Sequence, residues 1–250
     1  MTLYEQILEN KAKGQKMFAL LIDPEKCSDE WLCQILSTLN TKLTTHNSQF
    51  STLIFVGGSQ LKESIYSTVE KIKKLTSVPV VMFPGDASQF AENVDTLLFL
   101  SLASGRNAKY LIEQHIEAAP LIKQVGIETI PTGYILVDGG KDTAVARVSQ
   151  TTPYSAENIE LIANTALACQ LLGQKMVYLE AGSGANRPVP QNIIAETRKA
   201  IDIPIIVGGG IKTPQQMMDA FNAGADLVVV GNHIESHPDD LEKMIKLILF

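Results

Sequence analysis

A (β/α)₈ barrel is the fold class this sequence predicts, on three observations. Eight apolar runs of strand length recur along the chain, with helical patterns between them. The last three runs end in glycine-rich turns, Tyr178-Leu-Glu-Ala-Gly-Ser-Gly-Ala185, Val207-Gly-Gly-Gly-Ile211 and Val230-Gly-Asn-His233. The length of 250 residues is about what one such barrel takes.

The elements follow in order. The first strand is expected over Met17 to Asp23, a near-continuous apolar run of the kind that parallel strands buried on both faces require. Ser28 can cap the next helix, whose stripe is Trp31, Leu32, Ile35, Leu36, Leu39 and Leu43. A second strand over Thr52 to Gly57 precedes a second stripe of Leu61, Ile65, Val69, Ile72 and Leu75. The third strand is placed at Val78 to Phe83 and the fourth at Thr96 to Leu102. Only about a dozen residues, from Pro84 to Asp95, separate those two strands. That is too short for a full barrel helix with its loops, so the third barrel helix is expected to be absent or stunted. A compact barrel with one short helix would explain this, and so would a gap that admits a long apolar ligand or a partner subunit.

The fifth strand is expected over Gly133 to Asp138. Ser155 then precedes a helix with Ile159, Ile162, Ala163 and Ala166, stopped by Gly173. The sixth strand, Met176 to Ala181, leads to a first-turn proline at Pro190. After the seventh, Pro204 to Gly208, Thr213-Pro214 is an N-cap with proline at the first helical position, and Gly224 ends that helix. The eighth is Asp226 to Gly231, followed by another first-turn proline, Pro238. No linker, repeat or low-complexity segment divides residues 1–250, so one barrel domain is expected.

Composition narrows the function. With 45% apolar and 19% charged residues a large core can be buried. A net charge of −6 without a basic stripe argues against nucleic-acid binding. Cys27, Cys33 and Cys169 are scattered and lack CxxC spacing, and the four histidines lack metal-ligand spacing. Met1-Thr-Leu-Tyr-Glu-Gln is not a leader pattern and no apolar run is long enough to span a bilayer, so a cytoplasmic setting is expected.

The glycine-rich strand ends carry the chemistry. Glycine lets the backbone turn sharply and brings bare N–H groups against an anion, and the loops after the last strands are where these barrels hold phosphate. Asp23 ends the first strand and Pro24 turns the chain out at once, fixing a carboxylate at the rim, although it could also cap its own turn. Ser59 follows Gly57-Gly58 on the neighbouring strand end and could cap the next helix. A rim carboxylate and hydroxyl also suit Mg²⁺, which takes few protein ligands. Glu180 lies inside an apolar strand and faces the same way as Tyr178. A carboxylate there is costly unless paired or used, which marks it as a general base or an acceptor orienting a substrate hydroxyl. Asp138, before Gly139-Gly-Lys141, is a weaker mouth candidate.

Five segments, Leu21-Ile-Asp-Pro24, Phe55-Val-Gly-Gly-Ser59, Tyr178 to Gly184, Ile206 to Ile211 and Val229-Val-Gly-Asn232, together resemble the geranylgeranylglyceryl phosphate synthase family, which includes PcrB-type relatives. They stand in the family's order and span nearly the whole chain, and the short third crossover resembles it too. The resemblance implies transfer of a polyprenyl group, C20 geranylgeranyl by default, from its diphosphate to sn-glycerol 1-phosphate with Mg²⁺. It implies Asp23 and Ser59 as metal ligands and Glu180 and Tyr178 as catalytic residues. Tyr178, Leu179, Glu180, Ala181, Gly182, Ser183, Gly184, Gly209, Gly210, Gly231 and Asn232 would hold glycerol 1-phosphate, with the prenyl tail along Pro84 to Phe90. The partners implied are those two substrates, a second copy of the chain in a dimer or hexamer, and transient contact with a membrane surface. One family branch carries a lysine two residues before the first aspartate. Leu21 stands there, so the chain resembles the other branch and phosphate contacts come from elsewhere.

Two rivals stand beside this reading. A phosphate-binding isomerase or lyase would pair acid and base across the barrel and need neither Mg²⁺ nor an apolar channel. A non-catalytic phosphate sensor would have no use for Asp23, Ser59 and Glu180 together.

Overall fold

Eight parallel strands close on themselves in sequence order, β1 (Met17–Ile22), β2 (Thr52–Val56), β3 (Val80–Met82), β4 (Thr96–Leu102), β5 (Glu128–Leu136), β6 (Met176–Glu180), β7 (Ile205–Gly208) and β8 (Leu227–Val230). The computed structural model describes residues 1–45, 52–58, 61 and 64–248. Ser59 lies outside the described residues, as does the side chain of Leu43. The last strand pairs back onto the first, with Met17 opposite Leu227 and Leu20 opposite Val230.

Alternation along each strand divides the apolar residues into two cores. Met17, Ala19, Phe55, Tyr134, Tyr178 and Ile206 point into the barrel, whereas Phe18, Leu20, Ile54, Leu179 and Val207 pack outward against the helices. Helices α1 (Leu3–Ala12), α2 (Asp29–Thr45), α3 (Tyr66–Leu75), α4 (Gln114–Val125), α5 (Ala144–Ser149), α6 (Ile159–Leu171), α7 (Gln191–Ala200), α8 (Pro214–Ala223), α9 (Asn232–Ser236) and α10 (Asp240–Ile248) complete the fold. Ser28 caps as expected, its Oγ accepting from the Trp31 amide at 3.1 Å. Thr213 forms a full capping box with Gln216, and Gly224 closes α8 in the left-handed region. Among the described residues no helix is long and apolar enough to cross a membrane.

Four expectations change. First, β5 begins at Glu128, ahead of the predicted Gly133, and so includes Pro131. The Pro131 carbonyl accepts from the Lys175 amide at 2.8 Å. Its missing N–H therefore faces the same side, where β6 has not yet begun, and no ladder bond is lost. Second, α3 starts at Tyr66, past Leu61. Third, Pro190 is the cap of α7 and Pro238 lies two residues ahead of α10, so neither is a first-turn proline. Fourth, α1, α4 and α5 were not legible in the pattern. A π-helical turn at Lys109–Glu113 leads into α4, and Pro120 inside that helix removes its bond to the Ile116 carbonyl. The third crossover is as short as expected, reduced to one 3₁₀ turn, Ala87–Gln89.

The closed end of the barrel is stoppered by α1. Leu3 and Ile7 join the interior core. The Glu128 carboxylate accepts from the amides of Leu3 and Tyr4 at 2.8 and 2.9 Å and from Thr96 Oγ1 at 3.2 Å. Three donors lose their acceptor in Glu128→Ala, which is expected to cost about 1–3 kcal/mol in urea unfolding. Activity should be unchanged, because Glu128 stands at the end of the barrel opposite the strand C-termini. A loss of activity without a loss of stability would contradict this division.

Candidate active site

The C-terminal mouth of the barrel opens into a cavity of about 500 Å³. Its floor is an aromatic cluster in which Phe83 stacks on Tyr178 at 5.3 Å and Tyr134 meets Tyr178 edge-on at 5.2 Å. One wall is built from the glycine turns after β6, β7 and β8. The other is apolar, with Leu100, Leu102, Tyr110, Val145 and Val148. A smaller hollow of about 50 Å³ lies beside the 3₁₀ turn, between Met82, Phe90, Phe99 and His115, and shares Pro84, Leu100 and Gln114 with the main cavity. The stunted third crossover leaves this flank of the barrel thinly covered.

Glu180 ends β6 and points inward, only 5% exposed. The tips of β6 and β7 press together around it, which is why β7 ends in glycine. A Cβ on Gly208 would collide with the Tyr178 hydroxyl, and one on Gly209 with Glu180 Oε1. Gly209 also has φ +79°, a conformation that side chains disfavour. The Gly182 amide donates to Glu180 Oε1 at 2.6 Å. Burial pushes the Glu180 carboxyl from 4.5 to about 7, against the weaker opposing pulls of the Tyr178 hydroxyl and the Gly182 amide. The Tyr178 hydroxyl is itself buried without a hydrogen bond of normal geometry, and burial raises its pKa well above 10.0. It therefore remains a neutral phenol beside the carboxylate.

The amides of Gly184, Gly210 and Asn232 have no acceptor among the described residues, and all three residues line the cavity. Ser183 Oγ donates to Asn232 Oδ1 at 2.8 Å, tying the turn after β6 to the one after β8. These turns make a cradle of main-chain donors suited to an anion. Not every residue expected in it contributes. Leu179 and Ala181 turn their side chains out into the helical core. The Ala181 amide is used by the Gly208 carbonyl, and the Gly182 amide by Glu180.

Asp23 stands across the mouth. Its Oδ1 accepts from the Glu25 amide at 3.2 Å and lies close over Gly58, where a Cβ would come within 3.1 Å of it. Its Oδ2 is 2.8 Å from Lys26 Nζ. Lys26 also donates to Asn232 Oδ1 at 3.2 Å and lies 3.8 Å from Glu235. Burial works against its charge, but the bond to Asp23 and the Glu235 carboxylate outweigh that, and its pKa is raised. Lys26 was not singled out in the sequence, where only its place three residues after Asp23 marked it. Asp138 falls away from the site: it is exposed and its Oδ1 accepts from the Gly140 amide at 2.8 Å. Among the described residues no three His, Cys, Asp or Glu side chains cluster as a metal cage. A single hard carboxylate already holding a cation at an open rim fits Mg²⁺, which keeps waters and borrows phosphate oxygens.

Comparison with known proteins gives the family. The family model described as PcrB matches residues 6–249. The chain belongs to the PcrB family. It is similar to geranylgeranylglyceryl phosphate synthase from Flavobacterium johnsoniae, 48% identical over 236 residues and covering 94% of each chain. The enzyme of the same name from Zunongwangia profunda is also 48% identical, over 94% of this chain and 97% of its own length. Among solved structures, (S)-3-O-geranylgeranylglyceryl phosphate synthase from Thermoplasma acidophilum, in complex with sn-glycerol 1-phosphate, superposes with a TM-score of 0.89 at 29% identity, covering 99% of this chain and 98% of that one.

Because the folded state holds a proton on Glu180 between pH 4.5 and about 7 that the unfolded chain has lost, stability falls as pH rises through that window. Glu180→Gln removes this cost. It should be more stable than the parent at pH 8, by on the order of 3 kcal/mol, with the difference vanishing near pH 4.5. Urea unfolding at both pH values tests this, and equal stabilities at pH 8 would refute it.

Proposed function

We propose that this protein joins sn-glycerol 1-phosphate to a polyprenyl diphosphate, geranylgeranyl diphosphate by preference, forming the prenylglyceryl phosphate ether and releasing diphosphate. The observation that carries this reading is the placing of Glu180. It stands between a cradle of free amides and an apolar chamber, in one cavity with both. A small phosphorylated metabolite would need the cradle alone.

In this reading the acceptor's phosphate sits on the amides of Gly184, Gly210 and Asn232. That fixes its hydroxyl beside Glu180, and holding both groups in place removes much of the entropic barrier. Glu180 takes the hydroxyl proton as the oxygen attacks the prenyl C1, the C–O bond to diphosphate breaks, and the pair of electrons leaves with diphosphate. The neutral Tyr178 hydroxyl serves as a donor at the same spot. The prenyl tail runs over Phe83, Leu100 and Tyr110 toward the hollow at Pro84 and Phe90. Asp23 would hold Mg²⁺ at the opposite rim, with Ser59 proposed as its second protein ligand. The chemistry Mg²⁺ supplies when bound there is neutralisation of charge on the diphosphate. A cytoplasmic setting, a homo-oligomer and transient contact with a membrane surface belong to the same reading.

Incubation with Mg²⁺, glycerol 1-phosphate and geranylgeranyl diphosphate should yield the ether, detected by mass. Asp23→Asn and chelation of the metal should each abolish product, and added Mg²⁺ should restore it only in the parent. Metal-independent turnover of sugar phosphates would favour the isomerase or lyase, and binding without turnover the sensor. Because Glu180 must be ionised to accept a proton, kcat should rise with pH through about 7. Glu180→Gln should lower it roughly 10²–10⁴-fold.

A further inference from the structure

Beyond the residues already assigned, Lys141 stands beside the glycine cradle with no counter-charge among the described residues. Lys141 follows β5, on a different loop from the glycine cradle, and has no hydrogen-bond or ion-pair partner among the described residues. By contrast Lys26, Lys109 and Arg147 each hold a carboxylate.

The Lys141 loop is clamped to the cradle. The Asn186 and Arg187 amides donate to the Gly139 carbonyl at 3.0 and 3.1 Å, and Asn186 Nδ2 donates to the Gly140 carbonyl at 2.6 Å. The Arg187 guanidinium lies beside Gly140, where a Cβ would come within 3.3 Å of it. This bracing sends Lys141 toward Gly184. A Cβ placed on Gly184 would lie 3.3 Å from Asn232 Nδ2 and 3.7 Å from Lys141 Nζ. Asn232 presents that nitrogen because its oxygen is already taken by Ser183 Oγ and Lys26 Nζ. Three donors thus face the one spot that glycine leaves open: an ammonium, a carboxamide N–H and the free Gly184 amide. No acceptor among the described residues meets them.

We infer that Lys141 is a substrate-binding residue whose ammonium takes the phosphate monoester of the acceptor, above Gly184. The inference rests on the reading of the cradle as the acceptor site and adds to it a side-chain cation from the loop after β5. A dianion at a charged donor forms short, charge-assisted hydrogen bonds. Lys141 binds and does not act on the reacting atoms, so its loss should weaken acceptor affinity and leave kcat nearly unchanged.

The test is calorimetric titration of the intact protein with sn-glycerol 1-phosphate, paired with KM for each substrate. Lys141→Gln should raise Kd and KM for glycerol 1-phosphate roughly tenfold. It should leave KM for the prenyl diphosphate unchanged, and Lys141→Arg should recover most of the affinity. Lys199→Gln, which removes the same charge from α7 where it pairs with Glu196, should have no effect. Equal thermal midpoints would show that the exposed substitution leaves the fold intact. If the parent binds glycerol 1-phosphate and Lys141→Gln binds it equally well, the lysine assignment alone is overturned. A rise in KM confined to the prenyl diphosphate places Lys141 on the donor and overturns it too. A parent that binds no glycerol 1-phosphate sinks the acceptor reading itself.

Discussion

A carboxylate closed off from water, Glu180, is the constraint around which the upper barrel is built. Its neighbours are shaped to admit it: Gly208 and Gly209 carry no Cβ because the Tyr178 hydroxyl and Glu180 itself occupy that space. The Gly182 amide is committed to its Oε1. A single hydrogen bond and a nearby phenol do not offset the loss of hydration, and the carboxyl stays protonated up to about pH 7. An ionisable group kept at that cost, poised near neutral pH, is what proton transfer requires. The stability this side chain costs is what the proposed proton transfer would use.

The cavity above it has two unlike halves because the loops that form it differ in kind. On the β6–β8 side, tight glycine turns leave amides with no acceptor among the described residues, beside polar side chains such as Ser183 and Asn232. On the β3–β5 side, the wall is made from side chains, Phe83, Leu100, Leu102 and Tyr134. The shortened crossover after β3 extends that apolar half outward, toward Phe90 and Phe99. A ligand with an anionic head and a hydrocarbon tail matches both halves at once.

Charge at the mouth is organised as a chain from one rim to the other. Asp23 meets Lys26, Lys26 meets the Asn232 oxygen, and Ser183 meets the same oxygen from the far side. The asparagine is thereby turned so that its nitrogen faces Gly184. Asp23 and Lys26 stand at the β1 rim, and the amides of Gly184, Gly210 and Asn232, with no acceptor among the described residues, line the β6–β8 side. Two anionic groups can be told apart by such an arrangement, one needing a cation to approach Asp23 and one needing none.

The sequence by itself determined the strands, the order in which they close, the stunted third crossover and the strand ends where chemistry gathers. Each of these is local: apolar runs, glycine turns, and a carboxylate in an apolar strand are written in neighbouring residues. It did not reveal the early start of β5, because Pro131 is tolerable only where β6 has not begun, which depends on residues some forty positions away. Nor could it separate the Gly182 amide, spent on Glu180, from the Gly184 amide, which is free, although the two glycines stand two positions apart. The tertiary structure decided that allocation, and it alone brought Lys26 and Lys141 to Asn232 and Gly184. Hydrogen bonds and charges are assigned by whatever the barrel's closure sets opposite them, and closure joins residues that the chain keeps far apart.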